Sequence, residues 1–496
     1  MFVLVENISF TQLEKWKIFL ISKLKQEFVD VYLLKVDIVL KDYNSIIRNI
    51  QNRIESIVYN VSFENNYSEI FFENSSKKPD ENDIVINLTN IEVEKIQLLY
   101  GNVKIWDLLY HNMPISMFSH LGEYELLNKL PTIDIYLRET HCGTKSLHID
   151  VARYNLHYSA VRNFMNVSYS LHFLLIKNVK KCATSDCELP LFNNDYSYIR
   201  YLSLFYSNLL KKITNRILNK CFGFYNEKWT LGFGVGSFIN NRIEELVIIK
   251  MPKGEFWADP FLFKYGTTNY VFFERFPFKE KKGLISCGIF DTVTKTINNV
   301  SDVLTLPYHL SYPFVFEEDN DIYMIPECSE NKGIEVYRAL QFPNKWELYS
   351  VAFKEQSLVD TIYYCDLEGN KWLFATLSDS DVDMHCTVLN IYKIDSLQFN
   401  KIESHRKNPI IIDSTYARNA GRIYIENGKL YRVAQNNSHG IYGYGVKIKQ
   451  IVKLTLDEYE EIEVIDFPGN NIPKAIGTHH MCQIDGMYVM DICIAQ

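Results

Sequence analysis

The chain has 496 residues, of which 47% are hydrophobic, 14% aromatic and 23% charged, and its formal net charge is −8. This length favours two or three domains, and the apolar fraction excludes intrinsic disorder as the main state. Mild acidity without a long basic block argues against nucleic-acid binding. No apolar run approaches the roughly 20 residues that cross a bilayer, so we expect no transmembrane segment and a cytoplasmic protein.

Metal sites are not predicted. The ten cysteines are scattered, and only Cys182 and Cys187 are close together, without a second pair or histidines at zinc-ligand spacing. We expect reduced and mostly buried thiols. The aspartates between Asp379 and Asp383 lack the glycine and closing glutamate of a calcium loop, which favours a solvated loop.

The first part of the chain alternates short apolar runs with helical patterns, which is typical of a parallel sheet flanked by helices. We therefore predict an α/β domain of the Rossmann type over residues 1–190 and a helical linker over 191–228, with a helix at 195–221. The other predicted elements are a strand at Phe2–Val5, a helix at Leu13–Leu24 opened by Thr11, an apolar run at Val29–Leu40, a helix around Asn44–Val58 and apolar runs at Asp83–Leu88 and Val103–Leu109.

Residues 229–496 have an all-β pattern with an internal repeat. Five segments each contain a strand, a polar turn and a second strand, and they start at Asp259, Tyr312, Asp360, Arg418 and Thr478, 48 to 60 residues apart. This spacing predicts a five-bladed β-propeller, and the alternative is an irregular β-sandwich. The glycine-rich stretch Gly232–Gly236 lacks the context of a phosphate-binding loop, so we expect a flexible connector there.

Equivalent residues of the repeats are expected to meet in the funnel where the inner strands of a propeller converge. The first strands begin with Asp259, Tyr312, Asp360, Arg418 and His479. The second strands end with Glu274, Glu327, Thr376, Gln435 and Asp491. Residues close enough in sequence to reach the same mouth are Arg275, His309, Arg422, Tyr444 and His480.

Asp259 is the strongest single catalytic candidate. Trp257 would supply a sugar-stacking ring beside its carboxylate, which Pro260 would orient by restricting the preceding backbone. Glu327 is the expected second carboxylate, so that the pair would act as general acid and base or bind sugar hydroxyls. The structural alternatives are an Asp-Pro turn at Asp259 and a surface glutamate at Glu327.

Arg418 and Arg422 lie four residues apart, which places them on one face of an extended strand. Together they could hold a phosphate, diphosphate or carboxylate, and the alternative is salt bridging to Glu274 and Glu327. His479 and His480 are adjacent and would point to opposite faces, so at most one of them is expected to be catalytic.

Five motifs of the all-β region carry a resemblance to a known family. They are Trp257–Phe261, Pro307–Pro313, Tyr323–Glu327, Ala417–Arg422 and Gly477–His480. Together they resemble the domain at the N-terminus of plant glucosamine inositolphosphorylceramide transferases, which also occurs in bacterial proteins behind a formyltransferase-like domain. The resemblance covers about residues 225–496 and implies a five-bladed propeller similar to those of arabinanases and invertase-like glycosidases. It also implies a role in surface-polysaccharide synthesis.

The N-terminal part resembles the formyltransferase fold more weakly, through Asp83–Leu88 and Gly101–Trp106. Lys104 stands where that family's histidine is expected, and the family's Leu-Pro-x-Tyr-Arg-Gly loop is absent. Formyl transfer needs a base and an oxyanion donor, so the resemblance implies a degenerate domain.

The leading hypothesis is an enzyme of glycoconjugate assembly that transfers a sugar, with a sugar or nucleotide-sugar in the propeller funnel. Asp259 and Glu327 would be the carboxylate pair, Arg418 and Arg422 the anion clamp, and His479 a group that binds hydroxyls or moves protons. The alternatives are a sugar N-formyltransferase that uses formyl-tetrahydrofolate and a non-catalytic glycan-binding module. Only the first alternative implies a cofactor, which is folate, and the oligomeric state is left open.

Overall fold

The computed structural model describes residues 1–6, 14–28, 30–36, 46–59, 77–141, 146–180, 197–222, 227–240, 246–378 and 385–495. The chain divides into two units, Met1–Asn208 and Leu209–Gln496. The domain boundaries inferred from the sequence stay predictions. Thr11, Cys142, Cys182, Cys187 and Asp379–Asp383 lie outside the described residues.

Unit 1 contains a mixed sheet with strand order β2-β1-β3-β4-β6-β7, and β5 pairs with β4. Its strands are β1 Phe2–Glu6, β2 Tyr32–Val36, β3 Ile84–Asn87, β4 Lys104–Tyr110, β5 Met113–Pro114, β6 Thr132–Thr140 and β7 Leu147–Asn155. Its helices are α1 Lys15–Glu27, α2 Ile46–Val58, α3 Val93–Tyr100, α4 Glu123–Asn128 and α5 Ala160–Val179, and α6 Tyr198–Phe222 crosses the boundary of the units.

The prediction of a parallel sheet is right for only four strands. Strands β2, β1, β3 and β4 are parallel, whereas β6 and β7 are antiparallel to their neighbours. The pairing of β6 with β7 is antiparallel because the connection between them is too short for the crossover that parallel neighbours need. The predicted strands near Phe2, Asp83 and Val103 and the helix at 195–221 are confirmed. The formyltransferase-like character of this unit stays a prediction.

Unit 2 contains the five-bladed propeller predicted from the repeat, so the β-sandwich alternative is wrong. Four blades are continuous in sequence, and each has its inner strand first. Their strands are β10 Glu255–Tyr265, β11 Thr268–Pro277, β12 Leu284–Asp291 and β13 Thr296–Leu304; β14 Ser311–Glu318, β15 Asp321–Glu327, β16 Ile334–Gln341 and β17 Lys345–Ala352; β18 Leu358–Cys365, β19 Lys371–Leu377, β20 Val388–Ile394, β21 Ile402–Ser404 and β22 Ile411–Ile412; and β23 Tyr424–Glu426, β24 Lys429–Ser438, β25 Ile441–Leu454 and β26 Tyr459–Pro468.

The fifth blade joins the two ends of the propeller sequence. Its strands are β27 Ala475–Gly477, β28 Met481–Ile484, β29 Met487–Ala495, β8 Glu227–Val235 and β9 Val247–Ile248. β29 pairs along its whole length with β8, which comes from the start of the repeat region. β9 in turn pairs with β8. β8 and β9 are therefore the outer strands of the fifth blade.

The expectation of a flexible connector at Gly232–Gly236 is wrong, because most of this stretch belongs to β8. The glycines make room for side chains of β29. A Cβ on Gly234 would lie 2.0 Å from the Tyr488 ring, and one on Gly232 would lie 2.7 Å from Ile492. Close packing therefore accounts for Gly232 and Gly234, whereas Gly236, directly after β8, has a positive φ of 97°.

Aromatic and aliphatic side chains of the blades form a continuous core in the propeller. Tight hairpin turns connect inner strands to second strands, as at Asn427-Gly428 and Asp485-Gly486, where all four residues have positive φ. Such turns match the twist of the paired strands. The surplus of Tyr and Phe is used in the core, and the turns join the strands that carry these residues.

Two further observations concern the described residues. Among them, no helix combines the length and the apolar character needed to span a membrane, and the cytoplasmic location stays a prediction. The described cysteines are all free, and most of them are buried, as expected.

Candidate functional site at the propeller mouth

Three blades share a backbone distortion at the start of the inner strand. Asp259, Tyr312 and Asp360 have φ values of 48°, 46° and 48°. At each residue the pairing with the second strand shifts register. A positive φ is unfavourable for side chains of this kind, and such strain clusters at functional sites. Since bulges re-aim side chains, the repeated bulge explains why these three residues contact other blades.

Asp259 lies at the junction of blades one, two and five. Its Oδ1 lies 3.1 Å from His479 Nε2, and its Oδ2 accepts a hydrogen bond of 3.2 Å from Tyr312 N. The backbone N–H of Asp259 donates to Asp491 Oδ2 at 3.2 Å. The other nitrogen of His479, Nδ1, lies 3.0 Å from the same Oδ2. The imidazole of His479 therefore lies between two carboxylates.

The electrostatics of this junction favour an ion pair. Burial alone would raise the pKa of Asp259, but His479, with smaller effects of His480 and Arg418, lowers it to about 2. Burial alone would lower the pKa of His479, but Asp491 and Asp259 raise it to about 10. At neutral pH, Asp259 is thus a carboxylate and His479 an imidazolium.

Asp259, His479 and Asp491 are also the one group of described residues whose ligand atoms could surround a metal ion, within 4.8 Å of one another. Both ring nitrogens of His479 face carboxylates, however, and a metal ligand would have to be a neutral imidazole. The arrangement therefore fits a protonated histidine better than a metal centre.

Asp491 and His480 are sealed inside the protein. Both are fully buried, and Asp491 Oδ1 accepts hydrogen bonds from the backbone N–H groups of His479 and His480 at 2.9 and 3.0 Å. Burial lowers the pKa of His480 to about 4, and its ring packs against Phe261 and Tyr312. These two predicted binding residues accordingly support the neighbouring side chains.

Glu274 lies near the end of the second strand of blade one. Its pKa is shifted in the opposite direction from that of Asp259. Burial, followed by the negative charge of Asp259, raises its pKa well above the usual range of a carboxyl group. His309 Nε2 lies 3.5 Å from Glu274 Oε1, and His309 Nδ1 accepts a 2.9 Å hydrogen bond from Gly283 N. The raised pKa favours the protonated form of Glu274, which can donate a proton.

Glu327, at the equivalent position of blade two, is held as a carboxylate. Burial alone would raise its pKa, but Arg418 and hydrogen bonds from Ser311 and Ser329 lower it. Ser311 Oγ donates to Oε2 at 2.5 Å, and Ser329 N donates to Oε1 at 3.3 Å. Glu327 therefore suits hydroxyl binding better than proton donation.

The two arginines of the predicted clamp have different partners. Arg418 forms a buried ion pair with Asp360, and its guanidinium lies over the Tyr442 ring. Burial, opposed by Arg418, brings the pKa of Asp360 to about 7. Arg422 donates instead to the backbone oxygen of Val315, at 2.7 Å.

Two predicted binding residues, Trp257 and Gln435, are packed against other parts of the propeller. The Trp257 ring is buried against Phe273, and its Nε1 donates to Glu255 at 2.9 Å. Gln435 is fully buried, and its backbone N–H donates to Arg418 O at 2.7 Å. The roles of Trp257 and Gln435 in ligand binding stay predictions.

Two aromatic residues beside His479 were not predicted. The ring of Trp229 lies 4.2 Å and that of Tyr442 5.4 Å from the imidazole, measured between ring centroids. Both residues are only half-buried. Trp229 lies on β8, of which only Gly232–Gly236 was predicted as a connector. Tyr442 precedes Gly443, where a Cβ would lie 2.7 Å from His479 Cβ. The alternation of tyrosine and glycine over residues 442–445 is the signal that could have revealed Tyr442.

The comparisons with known proteins concern this propeller. A family model described as "Glucosamine inositolphosphorylceramide transferase 1, N-terminal" matches residues 247–479. The transferase of that name from Oryza sativa subsp. indica is 37% identical over 214 residues, which cover 42% of this chain and 28% of the relative. The Arabidopsis thaliana protein is 33% identical over 232 residues, which cover 45% of this chain and 30% of the relative. The resemblance predicted from the motifs is confirmed for this stretch.

The match spans less than a third of the length of these curated relatives. Among solved structures, the chain is similar to a β-xylosidase, RS223, with 10% identity and a TM-score of 0.36, covering 49% of this chain and 92% of that one. It is also similar to an exo-1,5-α-L-arabinanase from a bovine ruminal metagenomic library, with 14% identity and a TM-score of 0.33, covering 48% and 88%.

Proposed function

We propose that the propeller, whose residues 247–479 match the N-terminal domain of the glucosamine inositolphosphorylceramide transferases, transfers a sugar during glycoconjugate assembly. The active site would be the mouth around Asp259, and the substrate a sugar or nucleotide-sugar. The name of the curated relatives specifies a transferase and a glycosylated lipid, which supports this class of reaction.

One observation carries the proposal: two carboxyl groups of one blade have pKa values that their surroundings drive apart. The pKa of Asp259 is lowered to about 2, whereas burial and the charge of Asp259 raise that of Glu274 well above the usual range of a carboxyl group. The two lie at the same end of one hairpin, since Glu274 pairs with Ala258, the residue before Asp259. Divergent pKa values of neighbouring carboxyl groups are the usual basis of acid and base assignments.

In the proposed reaction, Asp259 takes the proton of the attacking hydroxyl as its oxygen forms a bond to the anomeric carbon. Glu274 gives its proton to the leaving oxygen as the bond from that oxygen to the anomeric carbon breaks. The proposal moves the role of the second catalytic carboxyl group from Glu327, which the sequence analysis paired with Asp259, to Glu274. Glu327 would instead bind a substrate hydroxyl.

Other residues of the mouth would bind and orient the sugar. Trp229 and Tyr442 offer aromatic faces beside His479, and sugars stack on such faces. Arg418 would bind an anionic group, such as the phosphate of a nucleotide-sugar, when Asp360 becomes protonated. A pKa of about 7 allows Asp360 to change its charge near neutral pH.

The test is a screen of nucleotide-sugars and glycan acceptors with the full chain, followed by variants in the best assay. We expect Asp259→Asn to lower turnover by a factor on the order of 100 to 10,000, as for loss of a general base. Glu460→Gln, which changes an exposed glutamate on β26, is the matched control and should keep full activity. Unchanged turnover in Asp259→Asn would refute the proposal.

A second candidate is a glycan-binding module without catalysis. It is favoured by the engagement of both Asp259 oxygens, one with His479 and the other with Tyr312 N, which would orient the carboxylate as a fixed acceptor for sugar hydroxyls. Calorimetry with the same glycans distinguishes the two candidates. Binding without turnover in any donor and acceptor combination would favour the module.

A further inference from the structure

The C-terminal half of helix α6 has an apolar face that no described residue covers. None of the described residues 206–221 is buried. Leu210, Ile213 and Ile217 are 64%, 46% and 53% exposed. Residues at this spacing share one face of a helix. Since most helices in proteins are stabilised by burying an apolar face, this one is suited to a partner.

The charge on the same segment is of one sign. Residues 209–221 contain the cations Lys211, Lys212, Arg216 and Lys220 and neither Asp nor Glu. The chain as a whole has a net charge of −8, so the segment is a local exception. Aliphatic residues along one face with lysine and arginine around it are the pattern of helices that lie in the interface of an anionic membrane.

We propose that residues 209–221 of α6 bind the surface of a bilayer that contains anionic lipids. Leu210, Ile213 and Ile217 enter the boundary between headgroups and acyl chains, and the cations contact lipid phosphates and carboxylates. A second copy of the chain fits this face less well, because two such segments, neither of which contains Asp or Glu, would bring like charges together. The inference is independent of the function proposed for the propeller mouth.

The experiment is cosedimentation of the full chain with two vesicle types, equimolar phosphatidylcholine and phosphatidylserine, and phosphatidylcholine alone. We expect binding to the first type and much weaker binding to the second. Lys211→Gln combined with Arg216→Gln should weaken binding roughly thirtyfold, from the usual contribution of two basic residues at an anionic surface. Leu210→Gln combined with Ile213→Gln should also remove most of the binding, and circular dichroism checks that both variants stay folded.

Matched controls change the same residue types elsewhere on the surface. Leu367→Gln replaces a leucine that is 96% exposed in a turn, and Lys253→Gln combined with Lys281→Gln removes two exposed lysines. Both controls should bind vesicles as the wild type does. The proposal fails if the wild type does not sediment with anionic vesicles, or if the α6 variants bind unchanged. It also fails if light scattering shows that the α6 variants only convert a dimer into a monomer, which would assign this face to a second copy.

Discussion

His479 Nε2 lies 3.1 Å from Asp259 Oδ1, which joins the fifth blade to the first through a buried ion pair. The contact connects the charge state of the proposed base to that of a histidine more than 200 residues away in the chain. Asp491 holds the other side of the imidazole. The pair therefore contributes both to closure of the propeller and to the chemistry of its mouth.

The first prediction concerns pH and stability. The pKa of Asp259 falls from 3.8 to about 2, so its stabilising effect is present above pH 3.8 and lost as the pH falls through 2. The pKa of His479 rises from 6.5 to about 10, so its effect is present below pH 6.5 and lost as the pH rises through 10. Both effects are fully present between pH 3.8 and pH 6.5. In that range we expect His479→Gln to lower the unfolding free energy by about 3 kcal/mol, and by less at lower or higher pH.

Urea unfolding of the wild type and His479→Gln across this pH range measures that difference. The matched control is His141→Gln, at a half-buried histidine of unit 1 whose Nε2 lies 3.0 Å from Glu139. It should show a small cost, since exposed pairs contribute little. A cost for His479→Gln that does not change with pH would contradict the ion pair.

The second prediction separates the two candidate acids. Glu274→Gln removes the proton that we assign to the leaving oxygen, so kcat should fall by a factor on the order of 100 to 10,000. Glu327→Gln removes a carboxylate that we assign to hydroxyl binding, so it should raise KM more than it lowers kcat. The reverse outcome in the same kinetic assay would return the role of second catalytic carboxyl group to Glu327, the partner of Asp259 in the sequence analysis.

The third prediction concerns Gly283, which lets the polypeptide pass close to the proposed acid. A Cβ there would lie 2.5 Å from Leu310 O, 2.6 Å from His309 Cε1 and 2.7 Å from Glu274 Oε1. Gly283→Ala should therefore displace Glu274, lower kcat and cost about 1–3 kcal/mol of unfolding free energy. Gly369→Ala, where φ is 81° and no atom is close, should lower stability without changing kcat. Equal kcat values for both variants would show that Gly283 does not position Glu274.

The fourth prediction concerns a contact between blades two and four. The Tyr312 hydroxyl donates to Gly421 O and accepts from Gly421 N, both at 3.0 Å. Tyr312→Phe leaves two buried backbone groups without a partner, so it should cost about 1–3 kcal/mol of unfolding free energy. Tyr265→Phe, at an exposed tyrosine, is the control. Identical thermal midpoints for the two variants would contradict the role of this contact.

Much of the propeller could be predicted because each blade repeats one local pattern, and the inner strands and hairpin turns follow directly from it. The fifth blade was only half predictable. Its outer strands come from a stretch whose glycines fit under Tyr488 and Ile492, a packing relation between distant residues that no local pattern reveals. The antiparallel strands of unit 1 were missed because the alternation of apolar runs does not show strand direction.

The candidate site shows the same limit. Equivalent repeat positions indicated Asp259, Glu274, Asp360, Arg418 and His479, which interact closely in the structure. Burial could not be inferred from those positions, and most of the predicted site residues, Trp257 and Gln435 among them, are buried in the structure. Charge states were also beyond the sequence, because the difference between Glu274 and Glu327 depends on Ser311, Ser329 and Asp259 in three dimensions.

The pairing of β8 with β29 has a consequence for synthesis of the protein. β8 leaves the ribosome more than 250 residues before β29, so it stays without this neighbour while four blades are made. During that interval its unpaired edge is open to incorrect pairing. The junction of His479 and Asp259 also assembles only at this last step, so a nascent chain acquires the ion pair of the mouth no earlier than its final blade.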